Sequence, residues 1–176
     1  MDSITVSEAG TPLTFTFADL MRYHGPGFPG GVAHALKAMQ AAFPLLSATP
    51  IERREIAVLT AFPGPGGRDA VEAVTWAVSG GRYGIDRALG GRDAISEPPG
   101  PYLWRFTWQG RTAEATIRPG HVRPEFIALG AKQGRSGEEE ARLNLLKREM
   151  ADRLLALPAA EVYAARLAPD PQPSCE

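Results

Sequence analysis

Cysteine is nearly absent: the 176 residues hold one, Cys175, at the penultimate position. A lone thiol excludes an internal disulfide and any zinc site built from several thiolates, and it fits a reducing compartment, so a cytoplasmic location is expected. No apolar run approaches the length of about 18 residues that a membrane span requires. The Met1-Asp2-Ser3 start carries neither a basic residue nor an apolar stretch, so no signal peptide is expected. Charge of one sign is missing too. Nineteen Lys and Arg stand against 20 Asp and Glu, giving a net charge of −1. Without a cluster of Lys or Arg to follow phosphates, neither nucleic acid nor an anionic membrane is an expected partner. No internal repeat is present.

What is abundant is helix-breaking residues. Nineteen glycines and 16 prolines gather at a few turns, within a chain of one-domain length that is 44% hydrophobic. Residues 1–14 alternate weakly and read as an arm or an edge strand. Phe15–Tyr23 reads as a short helix, with Phe17, Leu20 and Met21 at helical spacing. The breaker run His24-Gly25-Pro26-Gly27-Phe28-Pro29-Gly30-Gly31 follows. A second helix over Gly31–Phe43 is expected from the stripe Val32, Ala35, Leu36, Met39 and Phe43. The apolar run in Glu55–Phe62 suits a buried strand. Pro63-Gly64-Pro65-Gly66-Gly67 then leads into a third helix, Arg68–Ser79, closed by Gly80-Gly81. Arg82–Leu89 reads as a short strand.

The firmest unit is a hairpin over 101–118. Tyr102, Trp104, Phe106 and Trp108 alternate, so their rings share one face. A two-residue turn at Gln109-Gly110 pairs Trp108 with Arg111, Phe106 with Ala113, Trp104 with Ala115 and Tyr102 with Ile117. On the other face Arg105 opposes Glu114. Beyond it, Ser136-Gly137-Glu138-Glu139 has the form of a capping box. It heads a helix with the stripe Leu143, Leu146, Met150, Leu154 and Leu157. Pro158 opens a further short helix with Val162, Tyr163 and Leu167. Residues 168–176 read as a loose tail. The fold class expected is α+β: helix, strand, helix and three strands in a small mixed sheet, with helices on one face and more helices at the C-terminus.

Several of these segments resemble the FmdE-like family, named for a component of formylmethanofuran dehydrogenase. Tyr23-His24-Gly25 followed by Pro29-Gly30 is similar to that family's signature of an aromatic residue, His-Gly-His, one residue, then Cys-Pro-Gly before a helix. Arg68-Asp69-Ala70-Val71-Glu72 resembles its Asp-Ala-Ile-Gln segment. Gly80 matches a glycine of its Cys-Thr-Phe-Gly-Lys-Gly run. Leu157-Pro158-Ala159-Ala160-Glu161-Val162-Tyr163 resembles its Pro-x-Glu-Glu-Leu-Phe ending. The likeness spans about 15–167. It implies an α+β domain with a metal or small-molecule site at the first loop. The departures are as informative. Pro26 stands at the second histidine of the signature and Phe28 at its cysteine. Gly64–Gly67 and Ala77 stand where its other cysteines fall. Cysteine-ligated zinc is therefore not expected.

Among the candidate site residues, His24 is the sharpest: a general acid/base or a metal ligand ahead of a helix start. The bland alternative is a loop histidine bonded to a carbonyl. His34 falls off the apolar stripe and reads as an exposed surface histidine, although the family usually has glycine there and a new histidine could look into the loop. His121, after a turn, reads as solvated. Asp69, Glu72 and Trp76 share a helix face. The two carboxylates could face His24 for proton transfer or hold a hard metal, or they could be a solvated face. Glu72 is the more telling, because the family tends to have glutamine there. Gly64-Pro65-Gly66-Gly67-Arg68 could cradle an anion at a helix start, with Arg68 and Arg82 bracketing it, or be a tight turn and nothing more. The aromatic row reads as core or a dimer face rather than a stacking surface.

The reading of function that follows is a small-molecule site around His24. Its expected catalytic residues are His24 and Glu72. Its ligand contacts are Tyr23, His24, Gly25, Arg68, Asp69 and Arg82. A divalent metal held by His24 with carboxylate oxygens is the cofactor that these donors allow. A small anion is the candidate ligand, and a homodimer is expected from the two apolar stripes. The other reading is a non-catalytic accessory or partner-binding protein whose metal site has decayed. The residues leave open whether the chain is an enzyme.

Overall fold

The computed structural model describes residues 2–90 and 102–169. Two strands, β1 (Ser3–Glu8) and β2 (Thr11–Thr16), form a hairpin of their own, turning at Ala9-Gly10. What reads in sequence as an arm or an edge strand thus folds back on itself and packs on the core through Ile4 and Val6. Helix α1 (Phe17–His24) starts at Phe17 rather than Phe15, because Thr16 and Asp19 form a capping box there. Gly25 ends it at φ 84, in the region that an L side chain avoids.

Helix α2 (Pro29–Leu46) is the centre of the molecule. It begins at Pro29, as a first-turn proline allows, and it runs on through Pro44. The sheet lies against one side of it and α1, α3 (Pro65–Thr75) and α5 (Gly137–Leu155) against the others. Every residue from Val32 to Met39 is therefore buried. That overturns the reading of His34 as a surface residue, since its side of the helix is as enclosed as the apolar stripe. Lys37 is buried too, and its Nζ donates to Asp2 and to the Leu157 carbonyl oxygen.

The main sheet has the order β4-β3-β5-β6-β7. Its strands are β3 (Ala57–Thr60), β4 (Tyr83–Ile85), β5 (Leu103–Trp108), β6 (Arg111–Ile117) and β7 (Tyr163–Leu167). β3 and β4 are parallel and the other pairs antiparallel, so the sheet is mixed. The β5–β6 register is the one read from sequence, Trp108 opposite Arg111 and Arg105 opposite Glu114, around a turn with Gln109 and Gly110 both at positive φ. Tyr102, Trp104 and Phe106 are buried under α2, with Phe43 edge-on to Phe106 at 5.3 Å. The aromatic face that suggests a dimer is thus covered by the chain's own helix. On the opposite face Arg105 and Arg166 both donate to Glu114. Burial alone would raise the Glu114 carboxyl, but these hydrogen bonds outweigh it and hold it below its ordinary value.

Three further differences from the sequence reading have local causes. α3 ends at Thr75 rather than Ser79, because Trp76 takes the left-handed conformation at its C-cap; Gly80 and Gly81 lie in the turn beyond. The segment after Pro158 is helical only over α6 (Ala159–Val162); Tyr163–Leu167 then pairs with β6 as a strand. Helix α4 (Pro124–Ala131), not anticipated, packs on α5. α5 starts at the expected capping box, Ser136 with Glu139. Residues 170–176 of the expected tail lie outside the described residues. Among the described residues, no helix is long and apolar enough to cross a membrane.

Candidate functional site

The two glycine-proline turns noted in sequence meet in space. α2 and α3 both open with Pro-Gly-Gly, Pro29-Gly30-Gly31 and Pro65-Gly66-Gly67. Neither helix has a side-chain cap or an acidic residue in its first turn. The starts touch: a Cβ on Gly31 would stand 3.2 Å from the Gly67 nitrogen, and one on Gly66 would stand 2.5 Å from the Phe28 carbonyl oxygen. Only glycine allows this approach, which places the free N–H groups of both first turns side by side.

They border a cavity of about 540 Å³. Its floor is Gly30, Gly31, Gly64 and Gly66. Its walls are largely apolar, with Phe28, Phe62, Tyr102, Phe126, Leu143 and Met150. Arg87, Arg135 and Lys147 supply cations and, among the described residues, Glu140 the one carboxylate. Arg135 is committed to Glu140 at 2.7 Å, and the Lys147 ammonium lies 4.6 Å from the centre of the Phe28 ring.

His34 belongs to this cavity and His24 does not. The His34 ring lies 4.5 Å from that of Tyr102 and is 1% exposed. Burial pushes its pKa from 6.5 down to about 3, so the imidazole is neutral. Its Nδ1 is 3.0 Å from the Tyr163 hydroxyl, and that oxygen is 3.4 Å from Trp104 Nε1. Indole N–H only donates, so the Tyr163 oxygen accepts there; the buried hydroxyl's own proton has one acceptor within reach among the described residues, His34 Nδ1, and is assigned to it. The neutral ring then carries its proton on Nε2, a buried atom with no partner.

His24 makes a different pair. Its Nδ1 lies 2.8 Å from Asp69 Oδ2, and its side chain is 6% exposed. A carboxylate only accepts, so Nδ1 carries a proton, and Nε2 is again buried without a partner. Phe28 joins the two places: it lines the cavity and its ring centre is 5.9 Å from that of His24. Arg68 bonds the other Asp69 oxygen at 3.1 Å.

The remaining sequence candidates go elsewhere. Glu72 does not join Asp69 at His24; it accepts the Val78 and Ser79 amides and so closes the turn after α3. Arg82 bonds the Ile56, Thr75 and Trp76 carbonyl oxygens, at the opposite end of α3 from Arg68, so these two do not bracket one anion. Tyr23 is exposed, and Gly25 caps α1. His121 bonds the Glu161 carbonyl oxygen. Among the described residues no group of three or more His, Cys, Asp or Glu could hold a metal ion, so His24 and Asp69 offer two donors. Sequence reasoning favoured a surface place for His34, with the loop as the alternative, and missed the contribution of α4 and α5 to the cavity. The duplicated Pro-Gly-Gly was the available signal. No family model matches the chain, and no curated protein matches it.

Proposed function

We propose that this chain is a small-molecule-binding protein whose ligand occupies the cavity between the first turns of α2 and α3. The observation that carries the reading is a mostly apolar hollow of about 540 Å³ with a few polar groups converging on it. That is the size and character of ligand pockets in general. The resemblance to the FmdE-like family supports the same place, since its signature loop maps onto 23–30. The His24–Asp69 pair behind Phe28 is the candidate for proton transfer, should the ligand be a substrate, because among the described residues it is the one histidine–carboxylate pair beside the cavity wall. The reading needs no metal.

The test is a fragment screen by ligand-detected NMR on the wild type and on Gly130→Trp. Gly130 lines the cavity, and a Cβ there meets nothing within 4 Å, so a large side chain can be started at its edge without an immediate clash. Fragments that bind the wild type should lose binding in Gly130→Trp. Equal binding to both proteins would sink the proposal and favour the accessory-protein reading.

A further inference from the structure

We propose that the ligand of this cavity is an organic oxyanion, its charged head held by the paired Pro-Gly-Gly turns and by His34 Nε2 and its apolar body lying against Phe62 and Tyr102. The inference rests on the small-molecule reading and adds the class of ligand. Three observations support it. Each helix start carries about half a positive charge, and bringing two together is repulsive unless an anion sits between them. Elsewhere the chain compensates its helix starts: α1 and α5 have capping boxes and α4 has Glu125. α2 and α3 have neither, and their second and third residues are glycines whose N–H groups have no partner within the helix. The second observation is independent of the helices. His34 is buried in the cavity wall with Nε2 unpartnered, and the Trp104–Tyr163–His34 chain leaves the proton on that atom. A buried donor without an acceptor is destabilising, and a ligand oxygen would recover that loss. Third, the described wall carries three cations against one carboxylate, Arg87, Arg135 and Lys147 against Glu140.

A carboxylate and a phosphate ester share this chemistry, and the experiment separates them. Benzoate, phenyl phosphate, the neutral isostere benzamide and toluene are titrated into the full chain labelled with 15N. The amide resonances of Gly30, Gly31, Gly66 and Gly67 are followed. One variant accompanies the wild type. Gly30→Asp adds the carboxylate missing from the first turn, on a Cβ that meets the side-chain sulfur of Met150 at 3.0 Å. The expected result is that one or both anions bind at least about tenfold tighter than benzamide to the wild type, shifting the four glycine amides. In Gly30→Asp the built-in carboxylate should abolish that preference. The tighter of benzoate and phenyl phosphate assigns the head group. Benzamide or toluene binding as well as the anions would overturn the oxyanion assignment and leave the small-molecule reading standing. Anion preference unchanged in Gly30→Asp, shifts confined to other amides, or no binding by any of the four would also overturn it. In that last case the fragment screen on Gly130→Trp separately decides whether the cavity binds anything.

Discussion

Two kinds of helix start coexist in this molecule. α1 and α5 begin on a hydroxyl, Thr16 or Ser136, whose oxygen takes an amide proton three residues on, while Asp19 or Glu139 reaches back. α2 and α3 begin on Pro-Gly-Gly, with their first-turn N–H groups left to something outside the helix. The residues at the N-cap positions explain the difference. Phe28 precedes α2 with a ring that offers no oxygen, and a Cβ on Gly64, ahead of α3, would stand 2.5 Å from the Phe62 ring. Gly31 and Gly66, inside the two first turns, allow the close approach of the helices beside the cavity.

The largest effect that would sharpen this contrast is a pH effect on the cavity side. His34 is held neutral in the fold, with its pKa lowered from 6.5 to about 3. The unfolded chain takes up a proton below about pH 6.5 and the folded chain does not. Stability should be full above that pH and fall by roughly 1.4 kcal/mol per pH unit toward pH 3. Urea denaturation at pH 7, 5.5 and 4 should show this slope, amounting to about 3 kcal/mol at pH 4, and His34→Gln should remove it. An acid slope unchanged in the variant would mean that other groups carry it.

Next in size is Gly66→Ala. Its Cβ would meet the Phe28 carbonyl oxygen at 2.5 Å and the Val32 nitrogen at 3.0 Å, backbone atoms that cannot yield cheaply. A loss of about 2 kcal/mol is expected from such overpacking. A neutral result in chemical denaturation would mean that the helix starts are looser than their contact distances imply. Ser136→Ala tests the other kind of start, where loss of the cap should cost about 1 kcal/mol. Smallest is Gly30→Ala, where the neighbour is the end of Met150 and a change within about 0.5 kcal/mol is expected. Calorimetric melting of Gly66→Ala and Gly30→Ala side by side would break the contrast if both moved equally.

Much of the fold was legible before the structure, for reasons that are local. Strict alternation in Tyr102–Trp108 and the Gln109-Gly110 turn specify the β5–β6 register, and Ser136 with Glu139 marks the start of α5. The candidate site was legible in its segments but less so in its residues. The loop before α2 and the first turn of α3 do border the cavity, yet His34 lines it and His24 stands behind Phe28. Glu72 shares a helix face with Asp69, as periodicity says, but its carboxylate is taken up by the Val78 and Ser79 amides, a bond that depends on where Trp76 ends the helix.

The sequence by itself determined the place of most elements and the register of β5–β6, because breakers, caps and hydrophobic period act over a few residues of one chain segment. Tertiary structure alone decided what each face meets. An apolar stripe on α2 says that one side is buried, but the sheet, α1, α3 and α5 enclose the other sides as well, so His34 and Lys37 are interior. It also decided that Tyr163–Leu167 extends the sheet, because the open edge of β6 had hydrogen bonds to offer that a short isolated helix could not match. And it decided that two identical tripeptides 36 positions apart, at Pro29 and Pro65, stand together. Two runs of Pro-Gly-Gly in a sequence are turns; packed against each other they leave adjacent rows of unpaired N–H groups at the edge of a cavity.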